Sequence, residues 1–492
     1  MSDQEQTGVV FPVDDDGRRS TAAVGRAVVG DALRAVDQTG ALAAVQETNW
    51  RAGYLVHFRR LVEAGLASRE SAFSIAQNGL LALHARMRVA APDGDEVPLE
   101  RLPVDGPGRG LATVEVAGTG DAEKEFSLPY AGGRLRGDDL RRRLDAWVAA
   151  GVIEPSAAAA VGEVVAHPEW LRLPDSTVVV LGAGAEMGPL TSLLRWGARV
   201  AAVDLPRAAL WQRVLDTARR GAGTLLVPVA EGDPSGAHLD RRAGADLITE
   251  VPAVLDWVGA LDGRLVVGNY VYADGATNVR VSTAVDALTL RLTQTRPDPA
   301  LAFLATPTDV FAVPREAVEH SVRAYAGRSA TAKLIGRPLR TLSAGRLLRR
   351  AYVPGADPGI SDSLVAQQGP NYALAKRLQR WRATVARDAG TTVSMNVAPP
   401  TRTRSVVKNR ALAAAYAGAH RFGVEVFEPS TSNVLMAALL VHDLHTGGGP
   451  AHEHPWQDEA FAAAHGGLWR AAYSPRSALG LAALLGYGAA RG

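Results

Sequence analysis

Apolar positions change their period several times along this chain. Between residues 21 and 90 they recur every three to four positions, in VGRAVVGDALRAV, ALAAVQETNWRAGYLVHFRRLVEAGL and SRESAFSIAQNGLLALHARM. That spacing predicts helices with one buried stripe, and Ser68 and Ser71 are N-cap candidates with Glu70 in the first turn. Residues 91–130 switch to Pro/Gly punctuation and to alternating runs, LATVEVAG and KEFSLPY, which predict strands or a β-arm. Helical spacing returns over 134–170, where RGDDLRRRLDAWVAAG precedes EPSAAAAVGEVVAH and Pro155 sits at a helix start.

From Asp175 the apolar runs shorten. Residues 177–181 (TVVVL) are continuously apolar between Pro174-Asp175 and a glycine, which predicts a buried strand. Gly182, Gly184 and Gly188 follow, then the helical run LTSLLRW ending at Gly197, then RVAAV and Asp204. Strand, glycine turn, helix, strand and acidic residue form the fingerprint of a dinucleotide-binding βαβ unit. Glycines let the backbone approach a pyrophosphate, and a helix N-terminus offers it free N–H groups. Asp204, 20 residues after Gly184, is placed to accept hydrogen bonds from ribose hydroxyls. A carboxylate there repels a 2′-phosphate and so favours NAD(H), with NADP(H) an option because Arg207 is near. The same turn and acid also suit S-adenosylmethionine, whose ribose makes the same demand.

Positive charge comes almost wholly from arginine, and only Lys124, Lys333, Lys376 and Lys408 are lysines. Lys376 follows Tyr372 by four residues, which puts a phenol and an ammonium on one helix face, one turn apart. Ten tyrosines and four lysines in 492 residues give that spacing by chance fewer than about 0.1 times. A cation held there is expected to lower the phenol's pKa from about 10 toward neutrality.

With these residues in view, the stretch from about Asp175 to Leu444 resembles the short-chain dehydrogenase/reductase family in an extended, divergent form. Gly184, Gly188 and Asp204 stand at its glycine turn, Asn269 ends the apolar run RLVVG, and Thr306 and Thr308 follow a fifth run, LAFLA. Tyr372 and Lys376 then match the family's Tyr-x-x-x-Lys, and Asn396-Val397-Ala398-Pro399-Pro400-Thr401 its nicotinamide-closing loop. The departures are Leu190 for a turn glycine, some 60 residues between Thr308 and Tyr372, and Pro400 for the loop's final glycine. The resemblance implies hydride transfer between nicotinamide and a carbonyl or secondary alcohol. Tyr372 would be the proton donor or acceptor, Lys376 would hold the ribose, and Asn269 would hold the cofactor side. Thr306 would polarise the substrate oxygen, with Ser361 and Ser363 as rivals. It also implies a homo-oligomer pairing through the tyrosine-bearing helix.

The expected architecture is α/β: a doubly wound parallel sheet, Rossmann-like, with a mainly helical N-terminal accessory domain. Residues 1–20 read as a flexible tail, 21–174 as the accessory domain, 175–444 as the dinucleotide-binding catalytic domain and 445–492 as a C-terminal extension. An insertion at 315–368 contains REAVEHSVRAYAG and AGRLLRRAYV, two helix-like pieces, then the turn-rich VPGADPGISDS. Entering just before Tyr372, it is expected over the active site as a lid. Its arginines, among them Arg340, Arg346, Arg349 and Arg350, read first as a solvated face and second as recognition of an anionic substrate or carrier.

Composition narrows the rest. Net charge of +2 argues against a nucleic-acid footprint, and the absence of cysteine excludes disulfides and thiol chemistry and fits a cytoplasmic protein. No leader or membrane span is read, and the weakly apolar 478–490 stretch is expected to pack on the domain or a second subunit. His442, His445, His452 and His454 do not have metal-protease spacing, so no metal is expected. His465 is a candidate to return to the pocket, and Trp196, Trp211 and Trp257 read as core. The leading reading is an NAD(H)-dependent oxidoreductase of a small-molecule substrate. A methyltransferase using S-adenosylmethionine and a non-catalytic dinucleotide-binding protein are the alternatives.

Overall fold

The computed structural model describes residues 7–91, 93–102, 110–230 and 238–487. Its centre is a seven-stranded sheet. In chain order the strands are β1 (Leu111–Ala117), β2 (Ser176–Leu181), β3 (Arg199–Val203), β4 (Thr224–Ala230), β5 (Arg264–Asn269), β6 (Ala300–Ala305) and β7 (Thr392–Val397). Across the sheet they run β7-β6-β5-β2-β3-β4-β1, all parallel except β1, which pairs antiparallel with β4 at the edge. Counting the six parallel strands alone, the order is 3-2-1-4-5-6, which reverses direction between β2 and β5. In sheets with that order, ligands bind outside the carboxyl ends of the strands at the reversal.

The apolar runs form central strands because both of their faces are covered. Val179, Leu181, Val203 and Val267 face one core, while Val178, Val180, Val200 and Val266 face the other. The first core is filled from the N-terminal helices Thr21–Arg34, Trp50–Gly65 and Arg69–Arg86, and from Val251–Gly259, Gly275–Thr295 and Pro370–Asp388. The second is filled from Gly137–Ala150, Pro155–Ala166, Leu190–Trp196, Ala208–Arg220 and Pro429–Thr446. Trp196, Trp211 and Trp257 are core residues, as expected. Ser68 caps Arg69–Arg86 by accepting from the Ser71 amide, and Pro155 opens its helix.

Several expected boundaries fall differently. The described helices of 21–174 share their apolar clusters with the sheet and cover both its faces, and the LATVEVAG run supplies the edge strand β1. Residues 7–20 are not a free tail. Gly8–Val10 pairs with Arg88–Ala90, and Val9, Val10 and Phe11 are buried; residues 1–6 lie outside the described part. In the insertion, AGRLLRRAYV is not a helix; the second helix is Ala330–Leu342. The turn-rich end of the insertion contains Gly359–Asp362, which pairs antiparallel with Val310–Val313. The C-terminal helix Pro475–Gly486 packs on Arg410–Gly418, where Gly418 and Gly486 let the two backbones meet. Among the described residues no helix is long and apolar enough to cross a membrane.

Candidate active site

The glycine turn leaves β2 at Gly182, whose φ of +91° favours a residue without Cβ. A Cβ there would also lie 2.9 Å from the Tyr270 carbonyl, so the turn packs directly against the end of β5. The amides of Gly182 and Ala183 donate to the Val203 carbonyl, which ties the turn to β3. Asp204, at the end of β3, accepts from the Gly184 amide at 2.7 Å and from the Leu205 amide at 2.7 Å. One contact uses each carboxylate oxygen, so each keeps a lone pair for a ribose hydroxyl. Burial raises the Asp204 carboxyl above its ordinary value, and the two amides and nearby Arg207 oppose that rise. Pro189 precedes a helix of 7 residues, Leu190–Trp196, closed by Gly197 at φ +96°. Asn433 of Pro429–Thr446 braces it by donating to the Gly188 carbonyl and accepting from Ser192.

Tyr372, Lys376, Thr306 and Asn269 meet at the carboxyl ends of β5 and β6. Helix Pro370–Asp388 starts with Pro370 as its first residue and places Tyr372 beside the Thr306 hydroxyl. Thr306 shares a hydrogen bond of 2.9 Å with Thr308, and Gln368 donates to Thr308 at 2.7 Å. One turn on from Tyr372, the Lys376 ammonium donates to the Leu304 carbonyl at 3.3 Å and to Gln379 Oε1 at 3.1 Å. Gln379 Nε2 in turn donates to Asn269 Oδ1 at 3.1 Å. Ser361 and Ser363, the rival hydroxyls, lie on or beside the Gly359–Asp362 strand, and neither contacts the tyrosine.

One expectation fails here. Tyr372 is not pulled toward neutrality by Lys376: burial pushes its phenol above the ordinary value, opposed by the Thr306 hydroxyl and assisted by the Asp309 carboxylate. Desolvation outweighs helix spacing because the ammonium is turned to Leu304 and Gln379 instead. Burial also lowers Lys376 to about 8, against the opposing pull of Asp309. At neutral pH the site therefore holds a neutral phenol beside an ammonium.

Buried charge pairs fix the helix that carries both groups. Arg377 and Arg380 donate to the two oxygens of Asp309 at 2.9 and 2.8 Å, and Arg380 also grips Glu459 through two contacts of 2.6 Å. Arg382 pairs with both oxygens of Asp286 at 2.7 Å, and His84 from the N-terminal helices joins the same carboxylate. No residue from Pro370 to Arg387 is exposed, and Trp381 packs against Gly79. The chain's own N-terminal helices thus cover the helix through which pairing was expected.

Beside Tyr372 lies a cavity of about 230 Å³. Its walls are Trp50 and Arg51 from the N-terminal helices, Tyr272 and Asp274 after β5, and Gln368 and Tyr372. The Tyr272 and Tyr372 rings meet edge-on at 6.2 Å, and Tyr272 is pushed up to about 12 by burial and by its bond to Asp274. The place expected for the lid is therefore taken in large part by the helices Thr21–Arg34 and Trp50–Gly65. Of the insertion, only its end at Gln368 reaches this cavity, while Arg315–Ala326 and Ala330–Leu342 cluster with Tyr473 and Leu481 instead. His465 does not reach it either; buried against Trp469, it bonds Glu154 at 2.9 Å. The end of β7 and the loop after it are also buried: Asn396 donates to Asp443 at 2.8 Å and Thr401 pairs with Ser432 at 2.6 Å. Trp50, Arg51, Tyr272, Gln368 and Gln379 escaped the sequence reading, since no motif marks them and only folding brings them to Tyr372.

No family model and no curated protein matches this chain. Among solved structures it is similar to the terminal R domain from the myxalamid PKS-NRPS biosynthetic pathway, at 14% identity and a TM-score of 0.27. That match covers 54% of this chain and 62% of the other, so the chain spans under two thirds of its length. A likeness of that size carries no argument about function, which rests on the geometry above.

Proposed function

We propose that the protein is a nicotinamide-dependent reductase of the Rossmann type, acting on the carbonyl of a small molecule. The carrying observation is the meeting of Tyr372, Thr306 and Lys376 at the carboxyl ends of β5 and β6, on the ligand side of the strand reversal. The residues present fit a dinucleotide. Gly182 and Gly184 let the turn pack closely on Tyr270, Leu210 and Asp204, and the Glu186 and Met187 amides, left without an acceptor among the described residues, would be free to bond a pyrophosphate. Asp204 has lone pairs left for ribose hydroxyls, and its charge supports NADH over NADPH. A bound nicotinamide would supply the hydride.

The protein's part is proton delivery and charge stabilisation. Tyr372, held neutral, donates its proton to the carbonyl oxygen as negative charge develops there. Thr306 donates a second hydrogen bond to that oxygen, its orientation set by Thr308 and Gln368. Lys376, turned to Gln379 and the Leu304 carbonyl, would hold the ribose of a bound nicotinamide. A phenol raised above its ordinary value holds its proton at neutral pH, which is the form that a carbonyl reduction needs. The test is calorimetric titration with NADH, NADPH and S-adenosylmethionine, followed by a carbonyl substrate screen. Selective NADH binding supports the reading; binding of S-adenosylmethionine alone would leave Tyr372 and Lys376 without a role and overturn it.

A further inference from the structure

The second insertion helix, Ala330–Leu342, turns its apolar stripe away from the protein. Its inward side is made by Gly336, buried beside Leu348 and the Tyr473 hydroxyl, and by Leu339, half-buried in a small cluster with Tyr325 and Leu481. Leu334, Ile335, Pro338 and Leu342 recur at helical spacing on the other side, and all four are exposed. Leu334 is 75% exposed, Ile335 56% and Leu342 86%, so these side chains project as knobs and do not line a groove. Single exposed leucines are ordinary, whereas a stripe of them along one helix marks an interaction face. The C-terminal helix Pro475–Gly486 joins the same cluster through Ala478 and Leu481 and leaves Leu484 and Leu485 exposed near its end.

The charge around this stripe has one sign. From Arg328 to Ala356 the chain carries seven basic residues and no acid, and residues 460–492 contain no acid either. Arg328, Arg340 and Arg350 gather on Tyr325. Lys333, Arg337, Arg346 and Arg349 have no carboxylate partner among the described residues. The exposed helix Gly137–Ala150 shows the usual alternative, where Arg141 and Arg142 pair with Asp138 and Asp139. A net charge of +2 over the whole chain conceals this imbalance, because the balancing carboxylates lie elsewhere.

We infer that helix Ala330–Leu342 lies flat on an anionic lipid bilayer, with Leu334, Ile335 and Leu342 among the acyl chains and Lys333 and Arg337 at the lipid phosphates. An interfacial helix has this make-up: an apolar arc, basic flanks and too little hydropathy to span. Long basic side chains reach the phosphates while the apolar arc sinks below them. Arg346 and Arg349 add to the attraction without touching the arc. Two other occupants fit less well. A second copy docking this face against itself would set the unpaired cations against one another. An acidic protein would match the charge but would need pockets shaped for the projecting leucines, which a fluid bilayer does not. The helix contributes no wall to the Tyr372 cavity, so the inference stands apart from the reductase reading.

The test is co-sedimentation of the full chain with vesicles of phosphatidylcholine alone and of equal parts phosphatidylcholine and phosphatidylglycerol. Binding is expected only to the second, and it should weaken severalfold as salt is raised, since exposed charges are screened over about 10 Å at 0.1 M. Leu334→Ser with Leu342→Ser should weaken it at least about tenfold by removing apolar surface from the contact. Both side chains are exposed, so the fold loses no packing. Lys333→Gln with Arg337→Gln should weaken it about tenfold. Because the chain has no cysteine, Thr341→Cys can carry a polarity-sensitive dye on the exposed side with every leucine kept, and its emission should shift to the blue on the anionic vesicles. No binding to anionic vesicles, binding indifferent to the leucine pair, or an unshifted dye on the bound protein overturns the inference. Polyglutamate binding in place of vesicle binding would assign the face to an acidic protein, and lipid-free dimers lost with the leucine pair would assign it to a second copy; either result overturns it too.

Discussion

Gln379 donates to Asn269 at 3.1 Å while its carbonyl oxygen accepts from Lys376 at the same distance. One amide therefore ties the ammonium on the helix to the end of β5, and both partners are drawn from the residues that the family resemblance singled out. Gln379→Leu keeps the volume but leaves the Asn269 and Lys376 groups short of a partner. Stability should fall by about 1–3 kcal/mol, read as a lower thermal midpoint. Turnover should fall further than NADH affinity, because the ammonium is no longer held in place. Unchanged turnover would separate Lys376 from the chemistry.

Lys376 gives a pH signature with opposite signs for stability and activity. Its folded pKa is about 8, below the ordinary 10.5. Below pH 8 both states hold the proton, and the cost of burying the charge is constant. Between about 8 and 10.5 the unfolded chain holds a proton that the folded chain has released, so stability against unfolding rises through that window. Activity should fall as the ammonium is lost. Lys376→Met should abolish the rise, which chemical denaturation at pH 7.5 and 9.5 would reveal.

Tyr372→Phe removes the proposed acid and little else, since the ring keeps its edge contact with Tyr272. Carbonyl reduction should drop at least about 100-fold while NADH affinity stays within about twofold. Retained turnover in a steady-state assay would remove Tyr372 from the mechanism.

Asp204 has two tasks that substitution can separate. Asp204→Ala deletes the acceptors for the Gly184 and Leu205 amides, so the turn should loosen and NADH binding weaken by about tenfold. Asp204→Asn retains one acceptor and removes the charge, so it should bind NADPH better while losing less stability. Equal selectivity in wild type and both variants, measured by titration, would place the ribose elsewhere.

Glu154 anchors the C-terminal region through His465 at 2.9 Å and Arg470 at 2.6 and 2.8 Å. Burial works to raise its pKa, but these partners win and hold it at about 2, against an ordinary 4.5. The stabilisation is complete above about pH 4.5 and is lost as pH falls toward 2, amounting to roughly 3 kcal/mol. Glu154→Gln should flatten this part of the acid limb and lower stability at pH 7, as seen in denaturant melts across that range.

The chain pattern alone marked β2, β3, β5 and β6 and their order, while β4 carried no mark in that reading. Short apolar runs between glycines can bury both faces only as central strands, and the acid ending RVAAV and the glycines after TVVVL follow from local backbone demands. Helix spacing singled out Tyr372 and Lys376, and the family resemblance added Thr306 and Asn269, which lie at the ends of β6 and β5. Tertiary structure decided what no local pattern encodes. It added β1 from residue 111 onward to the sheet edge, and it laid the N-terminal helices over the tyrosine helix where a second subunit was expected. It walled the cavity with Trp50, Arg51 and Gln368 and aimed Lys376 at Gln379. The pKa of Tyr372 belongs to this second group. Spacing on a helix sets which residues share a face, but burial by elements distant in sequence sets how costly a charge is there.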